Sequence, residues 1–112
     1  MKVQNYRDVT GESVANARGT VLRKVVSEQD GAPNFIMRVL EVRPGGSTPH
    51  DNHPWEHEVF VLRGQGVVVQ ESVEHPLREG SVVFVPGGED HQFRNTGSET
   101  LEFICVIPRL DK

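Results

Sequence analysis

The chain has 112 residues, 36% of them hydrophobic and 25% charged, with a formal net charge of −4. That length has room for one domain with one modest core, and the composition excludes a disordered chain. The basic residues are scattered singly or in pairs, so no stripe for nucleic acid is visible.

The N-terminus lacks the apolar core of a secretory signal, and no run approaches the roughly 20 apolar residues of a membrane span. Residues 3–9 alternate weakly and are expected to add a strand to a neighbouring copy. Residues 11–18 hold one helical turn at most. The rest divides into short runs rich in β-branched and aromatic residues: 20–26, 34–42, 57–63, 66–71, 81–85, 91–95 and 100–107. Each has strand length. Turn signals separate them: Pro44-Gly45-Gly46, Gly64-Gln65-Gly66, Pro86-Gly87-Gly88 and Asn95-Thr96-Gly97. Val67–Val69 and Val82–Val85 are apolar on both parities, as strands covered on both faces are. No segment keeps a helical period over twelve residues. The pattern predicts an all-β sandwich or barrel. Cys105 is the single cysteine, which excludes an internal disulfide and a Cys-rich zinc site and points to the cytoplasm.

Three of the five histidines fall in one window, His50 to His57, together with Asp51, Glu56 and Glu58. His91 follows Pro86-Gly87-Gly88-Glu89-Asp90. Neutral imidazole is a common metal ligand, and carboxylates add oxygen donors suited to iron, manganese or zinc. In extended chain, residues two apart share a face. Asp51 and His53 therefore share one, His50 faces the other way, and Pro54 disturbs the strand. His57 can then join Asp51 and His53, with His91 coming from a later strand. Asp51, His53, His57 and His91 on a divalent ion would leave a net charge near +1 and open positions for water, substrate or dioxygen.

These residues resemble the cupin superfamily. Its second motif is matched without a gap: Gly80, five residues, Pro86-Gly87-Gly88, then His91 and Asn95. Its first is matched in part, with Gly45 or Gly46 at its start, His53 as the second histidine and Gly64 at its close. His57 stands in place of the usual glutamate, as in many small cupins. The resemblance covers residues 31–107, with 1–30 as N-terminal strands and turns. It implies that residues 1–112 form one double-stranded β-helix, the cupin jelly-roll barrel. The position of the family's first histidine is occupied by Asp51. Three outcomes stay open: Asp51 is the fourth ligand, His50 swings in through a bulge, or the site is reduced to three histidines or left without metal.

The resemblance further implies a dioxygenase-like, metal-dependent oxidation of a small organic molecule, with Fe or Mn favoured and Zn or Ni accepted by the same donors. Small cupins also include sugar isomerases and epimerases, and a ligand-binding module without turnover is the reading from a different class. No separate general base stands out. Short barrels of this kind expose an apolar face or edge, which predicts a homodimer. Among other residues, Glu58 reads as a surface residue or a support for a ligating imidazole, Trp55 as a rim residue, His75 as an exposed turn residue and Cys105 as core. Asn95 is expected to tie down a turn. Phe35, Met37, Phe93 and Phe103 are candidates for pocket lining or plain core.

Overall fold

A computed structural model describes residues 1–111. Nine strands follow in order: β1 Glu12–Ser13, β2 Arg18–Val26, β3 Phe35–Ser47, β4 His57–Arg63, β5 Gly66–Gln70, β6 Val73–Leu77, β7 Val82–Val85, β8 Gln92–Arg94 and β9 Leu101–Pro108. One continuous antiparallel sheet takes the path β6-β5-β8-β3-β9-β4-β7, with β2 on the other edge of β3 and β1 against β2. The sheet curls into a half-barrel of the expected all-β jelly-roll kind.

Strand β3 is the device that curls it. Its first part pairs with β9 from Phe35↔Pro108 to Val42↔Leu101, and its end pairs with β8 at Ser47↔Arg94. The bend between the two falls at Pro44-Gly45-Gly46. Gly45 takes a positive φ of 79°, which only glycine adopts cheaply. At Gly46 an added Cβ would lie 2.5 Å from the Arg18 carbonyl oxygen and 2.9 Å from that of Arg43. The turn signal in the sequence is therefore a corner within one strand.

Alternation along each strand sends one parity inward. Ile36, Leu40 and Val42 of β3, Val59 and Val61 of β4, and Phe103 of β9 are all buried in one cluster. Phe93 of β8 stacks on Phe103 at 4.7 Å between centroids and ties the two halves together. Burying one such ring contributes roughly 1.5–3 kcal/mol. Strands β6 and β7 end the sheet path. A cleft of about 420 Å³ lies between their side chains and reaches His91.

Several expectations are corrected. Residues 11–18 form the short strand β1 and a turn rather than a helical turn. Val73–Leu77 is a strand, missed because Glu74, His75 and Pro76 hide any alternation. His75 sits on it, exposed, and bonds Gln70 at 3.0 Å. Within this chain the N-terminal segment forms no strand: Tyr6–Asp8 is a 3-10 turn, Lys2 bonds Asp30 at 2.8 Å, and Tyr6 donates to Glu102. Phe35 and Met37 are exposed on the odd, outward parity of β3 and line neither the core nor the cavity at the histidines.

Candidate metal centre

The three histidines arrive from different places. His57 opens β4, His53 lies in the loop before it, and His91 stands just ahead of β8. Backbone bonds draw the pieces together. Asp51 and His91 form an antiparallel bridge, with N–H···O distances of 3.0 and 2.9 Å. The Gly88 amide donates to the His53 carbonyl at 2.5 Å. Gly87 packs directly on the Pro54 carbonyl, leaving no space for a Cβ. The Pro86-Gly87-Gly88 turn is thus a clamp that holds the His53 loop against the His91 strand.

The outcome is a triad of imidazoles. One ligand atom from each of His53, His57 and His91 lies within 4.8 Å of the others. Each ring has a support. The His91 Nδ1–H donates to the Glu89 carbonyl at 2.9 Å, which leaves its Nε2 lone pair free. His57 Nδ1 faces Cys105 Sγ at 3.0 Å, and its Nε2 is buried without a hydrogen-bond partner. His53 stacks on Trp55 with centroids 4.4 Å apart and planes 6° apart. An enclosed, unpaired imidazole nitrogen costs stability unless something binds it. The donor set therefore fits a first-row divalent ion.

Electrostatics keep the triad in the form a cation needs. Burial, then the Arg38 guanidinium, pushes the His57 imidazole down to about 3. Burial also lowers His53, although the Asp51 carboxylate opposes it. Both rings are neutral at neutral pH, so their nitrogens are free to ligate. Burial raises the Cys105 thiol.

Asp51 stands beside the triad. Its Oδ2 is 3.4 Å from His53 Nε2, and its side chain is 43% exposed. His50 stays exposed. Glu58 points out of the barrel, opposite to His57, where hydrogen bonding with Glu56 raises its carboxyl. Asn95 ties down the end of β8, donating to the Val42 and Glu99 carbonyls and accepting from Gly97.

A cavity of about 100 Å³ opens in front of the triad. Leu22, Leu40, Phe93 and Phe103 form much of its wall, and Arg38 and Cys105 complete it beside His57. Arg38 was not singled out by the sequence reading. The signal was present, since Ile36, Arg38, Leu40 and Val42 alternate inward on β3 and one of them is charged.

A cupin-domain family model matches residues 38–107, which carry both the triad and Arg38. The chain is a cupin. It is similar to Protein SchB of Streptomyces halstedii, 41% identical over 101 residues that cover 87% of this chain and 73% of that protein. The structure of the polyketide cyclase RemF from Streptomyces resistomycificus superposes with a TM-score of 0.90 at 37% identity, covering 96% of this cupin and 79% of that chain. The oxalate-binding protein of Thermotoga maritima is 29% identical over 106 residues, covering 89% of this cupin and 88% of that protein.

Proposed function

We propose that this cupin is a metal-dependent enzyme that activates the carbonyl or enol oxygens of a small polyoxygenated organic molecule. One observation carries the reading: three neutral imidazoles converge at the end of a cavity whose walls are largely apolar and aromatic. His53, His57 and His91 would hold the ion. Asp51 is proposed as the fourth ligand. Its carboxylate lies 3.4 Å from His53 Nε2 but outside the 4.8 Å cluster that the three imidazoles form, so it would have to turn inward to reach the ion. A divalent ion there supplies Lewis acidity to substrate oxygens. Leu22, Leu40, Phe93 and Phe103 keep water from the reacting end, and the cleft beside His91 has room for the remainder of a larger substrate.

Similarity to a polyketide cyclase at 37% identity supports ring closure as the reaction class. The donor set of three nitrogens and one carboxylate favours the second reading, oxidation by dioxygen on Fe or Mn. Metal analysis of untagged protein, followed by turnover of polyphenols and diketones with mass detection, tests both. Loss of water without oxygen uptake supports ring closure; oxygen uptake with oxygen gain supports oxidation. A metal-loaded protein that binds these compounds and converts none would make it a binding module.

The reading includes a homodimer. The outer face of the sheet carries two rows in register, Met37–Val106–Glu58–Phe84 and Val39–Ile104–Phe60–Val82. Val82 is 74% exposed and Phe84 62%. Exposed Met37, Phe60, Val82 and Phe84 on this face, interrupted by Glu58, suit a second copy. Light scattering should give twice 12.5 kDa, and Phe84→Asp should give the monomer; a wild-type monomer ends the idea. A cytoplasmic location belongs to the same reading, supported by the free thiol.

A further inference from the structure

The inner parity of β3 places a cation among hydrophobes. Ile36, Leu40 and Val42 are fully buried, and Arg38 shares their face. The row across the sheet through it reads Lys24, Arg38, Cys105, Val59. It contains no carboxylate. Arg23, Arg63, Arg94 and Arg109 each meet an acidic side chain. Among the described residues Arg38 makes no ion pair. Its Nη2 donates to Cys105 Sγ at 3.1 Å and lies 3.5 Å from His57 Nδ1. Its Nε is buried with no partner. The one carboxylate lining the cavity, Asp51, lies beside the neutral His53 and forms no ion pair with Arg38.

Arg38 is half-buried, and a guanidinium whose buried Nε has no partner is unfavourable unless one arrives. Here it stands beside a site built for a second cation. Like charges so placed favour an anion between them. The fork of a guanidinium matches two oxygens of a planar oxyanion. The cavity of about 100 Å³ holds roughly three water volumes, enough for a charged head group and little more.

We infer that Arg38 determines specificity in this cavity, and that the substrate is an oxyanion, a planar carboxylate or enolate whose oxygens are shared between the histidine triad and the Arg38 guanidinium. The inference rests on the metal-centre reading above and deepens it. Arg38 then selects charge, and the body attached to the head group extends toward the cleft beside His91.

The test titrates Co(II), then oxalate and its neutral diamide oxamide, into wild type, Arg38→Gln and Arg38→Lys by calorimetry. Wild type is expected to bind oxalate far more tightly than oxamide. Arg38→Gln is expected to lose roughly ten- to hundredfold in oxalate affinity, the scale of one charge-assisted hydrogen bond. Its Co(II) affinity should hold or rise, because a like charge has gone. General damage to the fold would weaken both. Arg38→Lys should recover part of the oxalate affinity. Unchanged oxalate affinity in Arg38→Gln, or Arg38→Lys no better than Arg38→Gln, overturns the inference. If wild type binds no Co(II), the metal reading fails by itself. Oxalate on the metal-free proteins then decides Arg38: binding that Arg38→Gln loses upholds it, and binding it keeps, or none in wild type, overturns it.

Discussion

Strand β9 carries a buried polar cluster on each face, and the two are built oppositely. On the outer face Glu102 is 2% exposed. It accepts from the Tyr6 hydroxyl and, at 3.1 Å, from Arg63 Nε. Every charge there has a partner. On the inner face, three residues along, Cys105 touches His57 and Arg38, and both keep a buried nitrogen without a partner. A satisfied cluster holds the N-terminal turn to the barrel; an unsatisfied one waits for a ligand. Two of the three unpaired buried side-chain atoms among the described residues, Arg38 Nε and His57 Nε2, belong to the inner cluster, and the third is Arg94 Nε.

The sharpest way to break this contrast is metal affinity. His57→Ala and His91→Ala should each weaken Co(II) binding by roughly a hundredfold or more, while Glu102→Gln leaves it within about threefold; calorimetric titration that shows equal losses would erase the distinction. Stability should respond in the reverse order. Glu102→Ala is expected to lower unfolding free energy by about 2–3 kcal/mol in urea, because it strands Arg63 and Tyr6. Arg63→Ala should cost about as much, since it leaves the 2% exposed Glu102 carboxylate with the Tyr6 hydroxyl alone. His57→Leu should hold or raise stability by removing the orphaned nitrogen.

Acid should distinguish the inner face further. His57 has a folded value of about 3 against an ordinary 6.5. Between these values the unfolded chain takes up a proton that the folded chain refuses. The metal-free protein therefore loses stability as pH falls from 6.5 toward 3, and this group adds no slope above 6.5. Urea midpoints at pH 7.5 and pH 4.5 should differ less in His57→Gln than in wild type; equal differences would remove His57 from the account. The smallest effect is expected at Trp55. Trp55→Ala removes the stacked support of His53 and should weaken Co(II) binding by about three- to tenfold, the size of one aromatic contact.

Much of the fold was legible in the sequence. Strand runs and turn signals located seven strands, because β-branched residues and Gly-Pro punctuation act locally. Val73–Leu77 was not legible, because it is an edge strand with polar side chains and a proline. The triad of His53, His57 and His91 was legible from parity and spacing. Asp51 was legible as a neighbour, and its bridge to His91 gives it a second task that no spacing announces. The inward place of Arg38 was legible from alternation, but its lack of an ion-pair partner and the tasks of Cys105 were not, since β3 and β9 are far apart in the chain and meet only through sheet register.

By itself, then, the sequence determined the β architecture, the corners and the set of imidazoles, all of which depend on residue type and short-range alternation. Only the tertiary structure decided which polar groups are satisfied. Hydrogen-bond partners at Glu102 and Arg38 come from distant strands, and burial turns each missing partner into a chemical demand.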